Sequence, residues 1–211
     1  MRTAYVFLNG ELQGSEQFYK DFMTACPGDV FCADGGLYHA GKLGILPVEI
    51  FGDFDSTDGE TLSLYEKKGV VIRRFPVRKD ETDGELILGA LSGRQYDKIY
   101  LLAASGGRTD HFLMNAFLLF RFPQAEFLSE RERVFAIFGK YTLCGCKGKT
   151  VSLLPFSETV EELTLRGFSY PLRQATVGMG SSLCMSNVAV EDRCGIEFSK
   201  GMILCVVETI T

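Results

Sequence analysis

The sequence predicts an α/β domain with a mostly parallel, doubly wound sheet, followed by a small antiparallel β-sandwich or roll. Three observations carry this reading. Up to about residue 125, continuous apolar runs alternate with helix-like segments, as expected of strands buried on both faces under crossover helices. Beyond that point, short strand-like runs follow one another, separated by glycine, proline and serine, with no room for a helix. In the first part, four short stretches rich in acid or glycine each follow an apolar run. If the strands are parallel, all of these stretches emerge at one edge of one sheet.

The strands of the first part are read at Ala4–Leu8, Val30–Ala33, Val48–Phe51, Val70–Phe75 and Ile99–Ala104. Ser15 is placed to cap a helix that carries Phe18 and Phe22 on one face and stops at Pro27-Gly28. Thr57-x-x-Glu60 and Thr82-x-x-Glu85 each match a capping box, in which a hydroxyl and a carboxylate satisfy the first helical N–H groups. The segment from His111 to Phe120 is apolar almost all round and is expected to be buried against the sheet. Strands then follow at Glu126–Ser129, Val134–Phe138, Val151–Leu154, Leu163–Leu165, Ser182–Val190, Ile196–Phe198 and Met202–Val207, with Ser199-Lys200-Gly201 read as a hairpin turn. The pattern changes after roughly residue 125, and the domain boundary is set near residue 140, giving domains 1–139 and 140–211.

Composition narrows the function. Of 211 residues, 46% are hydrophobic and 23% charged, which suits a soluble protein with a substantial core. The net charge of −5 and the lack of any basic run argue against a nucleic-acid surface. The apolar run within Met1–Gly10 is too short for a signal-peptide core or a membrane span and reads as the first strand. Seven cysteines are scattered through the chain, and Cys144-Gly145-Cys146 is too tight for the usual metal pair. Free thiols in a reducing, cytoplasmic setting are expected.

The four stretches are Ala33-Asp34-Gly35-Gly36, Gly52-Asp53-Phe54-Asp55-Ser56, Lys79-Asp80-Glu81-Thr82-Asp83 and Gly106-Gly107-Arg108-Thr109-Asp110-His111. Clustered acids repel one another unless a cation sits among them, so the pattern points to a hard divalent metal carrying a phosphorylated ligand. In extended backbone, Asp53 and Asp55 point the same way while Phe54 anchors inward, an arrangement suited to Mg²⁺. Asp83 falls in the first turn of a helix capped by Thr82, whose N-terminus also offers N–H groups to phosphate; Lys79 adds a point charge. Gly106 and Gly107 let backbone approach a ligand, and Arg108 offers a planar fork to phosphate oxygens. Plainer readings stand beside these. Asp83 complements a helix dipole, Asp110 caps the following helix, and Asp34-Gly35-Gly36 forms a simple turn.

In their order and intervals, these motifs resemble the thiamine pyrophosphokinase family, and Ser186-Asn187 stands where that family carries a Ser-Asn pair. The resemblance implies Mg²⁺-dependent transfer of the β,γ-pyrophosphoryl group of ATP to the hydroxyl of thiamine, releasing AMP. It assigns Asp53, Asp55 and Asp83 to the metal. Asp34, Gly35, Gly36, Lys79, Asp80, Gly107 and Arg108 fall to ATP, with Asp53, Asp83, Arg108 and Asp110 in catalysis. Asp110, Ser186 and Asn187 fall to thiamine, in a homodimer whose sites are shared between subunits. Either Asp110 or Asp80 is placed to accept the hydroxyl proton. Met185 replaces the usual threonine, Ala103 stands where a glycine leads the fifth-strand loop, and with no tryptophan in the chain Phe198 is a candidate to stack on thiamine. Two rivals are a metal-dependent phosphatase or nucleotidyltransferase, which releases phosphate or pyrophosphate, and a non-catalytic thiamine or nucleotide sensor.

Overall fold

A computed structural model describes residues 1–54, 59–76, 78 and 80–209 of the chain. The chain packs as two compact units, Met1–Glu130 and Arg131–Thr211.

The first unit runs β1 (Thr3–Phe7), α1 (Glu16–Ala25), β2 (Asp29–Ala33), α2 (Gly36–Leu43), β3 (Glu49–Gly52), α3 (Gly59–Lys67), β4 (Val71–Arg74), α4 (Asp83–Ser92), β5 (Lys98–Leu102), α5 (Thr109–Arg121) and β6 (Ala125–Leu128). Every strand pairing in it is parallel, in the order β6-β5-β1-β2-β3-β4. β1 is buried along its whole length, which explains why it reads as an uninterrupted apolar run. Ser15 caps α1 as expected, its hydroxyl accepting from the Phe18 N–H at 3.2 Å.

Four expectations change here. β6 looked like the start of the antiparallel part, but it follows α5 and pairs parallel with β5, completing the first sheet. β4 is an edge strand, not a buried one, and its Val71 is exposed. α5 is not buried all round: Ala116, Leu118 and Leu119 face inward while Leu113 and Phe117 are exposed. α2 was hidden in the sequence because Asp34-Gly35-Gly36 reads as a turn, whereas Gly36 opens a helix that ends at the left-handed Gly44. The capping box proposed at Thr57 lies outside the described residues, although α3 follows it.

The second unit contains β7 (Glu132–Ile137), β8 (Lys140–Cys144), β9 (Thr150–Pro155), β10 (Thr159–Arg166), β11 (Leu172–Gly178), β12 (Asn187–Val188), β13 (Arg193–Glu197) and β14 (Ile203–Glu208). β12-β9-β14-β7 form one antiparallel array and β11-β10-β13-β8 a second. Inward residues such as Phe135, Val151, Leu153, Leu163, Ile196 and Ile203 share one apolar core. β7 pairs with β14, so packing divides the units at Glu130/Arg131, whereas the sequence reading changes pattern near residue 125 and sets its boundary near residue 140.

Sequence reading missed β8 and β11. It also extended a strand over 182–190, where the strand is confined to Asn187–Val188, with an isolated bridge from Ala189 to Phe168. Ser199-Lys200-Gly201 is not a hairpin turn, because β13 and β14 pair with different partners and the segment passes between the two arrays. β10 is irregular: Glu162 takes a left-handed φ of 58° where its register against β11 shifts. That bulge re-phases the strand, so the buried positions pass from Val160 to Leu163 and Leu165 and defeat a simple alternation rule. All seven cysteines are free.

Two helical glycines test the packing. A Cβ on Gly36 would meet the Phe7 carbonyl oxygen at 2.0 Å, and backbone cannot step aside. Gly36→Ala is expected to lose roughly 1–3 kcal/mol in denaturant unfolding, the usual cost of overpacking. Gly89, inside α4, has nothing within 4 Å of that position. Gly89→Ala is expected to gain about 0.5–1 kcal/mol in the same measurement. Equal effects at the two sites would contradict the close packing of β1 on α2.

Candidate active site

The chain builds β1 to β4 outward in one direction, then returns to place β5 on the other side of β1. Strand order therefore reverses between β1 and β5, and loops leaving the carboxyl ends of these strands diverge to open a crevice. A cleft of about 240 Å³ lies there. Its walls are Leu8, Asn9 and Gly10 after β1, Ala103, Ala104, Gly107 and Arg108 after β5, and Thr82, Asp83 and Gly84 at the start of α4. Ala33 at the end of β2, and His111, Phe112 and Asn115 on α5, complete it.

The loops after β1 and β5 are zipped together. Gly10 N–H donates to the Ala103 carbonyl at 2.9 Å, and Glu11 N–H to the Ser105 carbonyl at 2.7 Å. Gly10 is required for this approach, since a Cβ there would lie 2.1 Å from the Ser105 oxygen. His39 of α2 bonds the Gly10 carbonyl through Nε2 at 2.8 Å, so that nitrogen carries the proton. Asn115 is buried, and its Nδ2 donates to the Ala104 carbonyl at 3.3 Å. Sequence reading missed Asn9, Gly10, His39 and Asn115. The available signal was Asn9-Gly10 itself, a turn dipeptide directly after a buried strand. Ala103 has a φ of 53°, the left-handed region that a glycine enters without strain.

Asp34 and Asp53 follow β2 and β3 at the same sheet edge, outside the wall of the cleft. Gly52 brings their loops together, because a Cβ there would lie 2.8 Å from Cβ of Asp34. The expectation of extended backbone through Asp53-Phe54-Asp55 is corrected: Phe54 has a φ of 57°, so the alternation argument does not hold. Phe54 does anchor inward. It is buried, with the Arg74 guanidinium 5.4 Å from its ring centre. Asp55 and Lys79 lie outside the described residues.

At α4, Thr82 caps as predicted, its Oγ1 accepting from the Glu85 N–H at 3.2 Å, and Asp83 occupies the first turn and faces the cleft. Asp80 is exposed just before the cap. Glu85 forms an ion pair with Arg121, tying α4 to α5. Asp110 is not the N-cap of α5. The helix starts at Thr109 with Arg108 at the cap position, which puts Asp110 inside the first turn. There it takes a fork from Arg108, Nε to Oδ1 at 3.1 Å and Nη2 to Oδ2 at 2.6 Å, and accepts from its neighbour His111 N–H at 3.0 Å. The Arg108 bonds, with the His111 N–H helping, hold the Asp110 carboxyl down at about 2. Both groups are exposed, so salt screens the attraction.

In the second unit, Ser186 is exposed with a left-handed φ of 51°, and its N–H donates to Ser152 Oγ at 2.9 Å. Asn187 is buried beside it, and Met185 is exposed. Phe198 is 5% exposed and lies in the core, so it is corrected as a stacking candidate.

The acids offer hard oxygen donors from separate loops. Among the described residues, no group of three or more His, Cys, Asp or Glu is drawn together tightly enough to hold a metal. Carboxylate oxygens are the donor type that Mg²⁺ takes.

The model of the thiamin pyrophosphokinase catalytic domain matches residues 28–129, and that of the family's vitamin B1 binding domain matches 140–203. A thiamine pyrophosphokinase of Bacillus subtilis is 36% identical over 172 residues, covering 79% of this chain and 80% of the relative. The crystal structure of thiamine pyrophosphokinase from Bacillus subtilis superposes with a TM-score of 0.85 at 30% identity over all of both chains. That of Geobacillus thermodenitrificans gives 0.84 at 29% identity, over 100% of this chain and 99% of the other. Matched along both of its units, with the acids at one edge of a parallel sheet and the Ser-Asn pair in the β unit, the chain belongs to the thiamine pyrophosphokinase family.

Proposed function

We propose that the chain transfers the β,γ-pyrophosphoryl group of ATP to the hydroxyl of thiamine, yielding thiamine diphosphate and AMP. The observation that carries this reading is the meeting of Asp83, Gly107 and Arg108 in one cleft at the strand-order reversal, with Asp34 and Asp53 at the same edge. Asp53, Asp55 and Asp83 would hold Mg²⁺, which when bound neutralises charge on the triphosphate. Asp34, Gly35, Gly36, Lys79, Asp80, Gly107 and Arg108 take the nucleotide. The N-terminus of α4 turns N–H groups toward anions, and the backbone around Gly107 admits phosphate closely. Arg108 then steadies charge on the transferred group, and phosphate oxygens compete with Asp110 for its fork. Asp110 or Asp80 accepts the hydroxyl proton, and Ser186 and Asn187 serve the thiamine side. The free thiols suit a cytoplasmic enzyme. Among the described residues no helix is long and apolar enough to cross a membrane.

An assay with ATP, Mg²⁺ and thiamine is expected to form AMP and thiamine diphosphate in equal amounts. Orthophosphate or pyrophosphate as the product would favour the phosphatase or nucleotidyltransferase reading, and binding without turnover the sensor.

Asp53→Asn keeps shape but removes charge, so turnover is expected to fall by about two orders of magnitude or more with the fold intact. Near-normal turnover at saturating Mg²⁺ would sink the metal assignment.

For Arg108→Gln, the Asp110 titration followed by NMR is expected to rise from about 2 toward the ordinary aspartate value of roughly 3.9. Because the folded carboxyl is held low, the pair stabilises the fold above the unfolded value. That contribution fades as pH drops from roughly 4 through about 2. An unmoved titration would show that the pair does not persist in solution.

The homodimer with shared sites has its own test. Mixing Asp53→Asn subunits with Asn187→Ala subunits, at thiamine too low to saturate the second variant, should restore about a quarter of wild-type activity, since mixed dimers then hold one undamaged site. No recovery, with subunit exchange verified by mass, would place each site within one chain.

A further inference from the structure

Asn115 of α5 is 9% exposed and lies on the wall of the cleft. Its amide has one orientation. The Ala104 carbonyl can only accept, so the atom that meets it at 3.3 Å is Nδ2, and Oδ1 is turned the other way. Among the described residues Oδ1 has no hydrogen-bond partner. Nor is it sealed inside the protein, because no buried side-chain oxygen among them lacks a partner. Oδ1 therefore opens on the cleft. Gly84 keeps that opening clear. It lies in the first turn of α4, in helical backbone where alanine would make the stronger helix. A Cβ on Gly84 would stand 3.0 Å from Asn115 Oδ1 and 3.7 Å from Leu8 Cδ2. The bare α-carbon thus leaves room beside a lone acceptor. The acceptor's direction is fixed in advance, since Nδ2 is held by the loop that turns left-handed at Ala103.

The surroundings decide which part of a ligand reaches this oxygen. Gly84 directly follows Asp83, and Gly107 and Arg108 line the same cleft. These are the groups that the diphosphokinase reading gives to the phosphates and their metal. Phosphate oxygens accept hydrogen bonds, as Oδ1 does, so they cannot use it. The next part of a nucleotide beyond its phosphates is the ribose, whose hydroxyls donate; the base lies a sugar's length further off. We infer that Asn115 is a specificity residue whose Oδ1 accepts from a ribose hydroxyl, so that the cleft prefers ribonucleotides to deoxyribonucleotides. This rests on the diphosphokinase reading above and deepens it, because it names the feature of the nucleotide that the cleft selects.

The test compares ATP with 2′-deoxy-ATP and 3′-deoxy-ATP as substrates, with thiamine and Mg²⁺, and AMP with the two corresponding deoxy-AMPs in calorimetry. It uses the full chain and the variants Asn115→Ala and Gly84→Ala. The wild-type chain is expected to favour ATP over one of the deoxynucleotides by roughly five- to fiftyfold in kcat/KM, the range of one buried acceptor left unmatched. AMP should show the same preference in binding. Asn115→Ala should take all three nucleotides alike. Gly84→Ala keeps the Ala104 bond and a sound helix but crowds Oδ1, and should lose most of the preference. The ratio of two nucleotides on one protein cancels any general loss of fold or activity, so a purely structural asparagine would leave it unmoved. If Asn115→Ala fails to fold, Gly84→Ala decides by the same ratio. No preference in the wild-type chain, or a full preference in Asn115→Ala, would overturn the inference. So would a raised thiamine KM with the ribose preference intact, which would put Oδ1 on the thiamine side. A ribose preference in AMP binding without any turnover would overturn the transferase reading alone, and a chain that binds neither ATP nor AMP would overturn both.

Discussion

Parallel pairing of β1 with both β2 and β5 is the constraint on which the candidate site depends. Parallel strands send all their carboxyl ends to one edge, so acids spread from Asp34 to Asp110 in sequence follow strands that end at that same edge. Because β1 lies between strands built before and after the chain turns back, the loops on its two sides part company, and a crevice opens where they do. Every strand pairing in this unit must form across a crossover helix. The burial of β1, β2 and β5 on both faces compensates for that cost in chain entropy.

Close backbone contact sharpens the edge. Gly10, Gly36 and Gly52 each sit where a Cβ would strike a neighbouring loop or strand, so the loops pack at backbone distance and leave the charged side chains to the open side. Charge then decides the resting state. In the protein alone, Arg108 is paired with Asp110, and each charge has its partner within the same turn of chain. The second unit works by another principle. Its core is made by two antiparallel arrays, and its exposed serine is set by a left-handed turn rather than by strand direction.

Sequence reading succeeded where local chemistry and burial agree. The caps at Ser15 and Thr82 are visible because a hydroxyl at an N-cap has one local partner, three residues on. It failed where tertiary context overrides the local pattern. The helix after Gly35-Gly36 looked like a turn, and α5 looked buried on every side though Leu113 and Phe117 are exposed. The bulge at Glu162 broke the alternation by which strands of the β unit are recognised, and β11, its irregular partner, was lost with it.

By itself, the sequence determined the class of each half and the strands that carry the acids. These follow from hydrophobic periodicity and from the chemistry of carboxylates, glycine and arginine, which travel with the residue. Only the tertiary structure decided which strands are neighbours, and therefore that Asn9, Gly10 and Asn115 line the cleft beside Asp83 and Arg108. It also decided that Phe54 turns left-handed, that Asp110 sits inside the helix and not at its cap, and that Asn187 spends its amide on Tyr170. The physical reason is the same in each case. A side chain's partners are chosen by groups distant in sequence, and strand order, which brings those groups together, leaves no local mark on the chain.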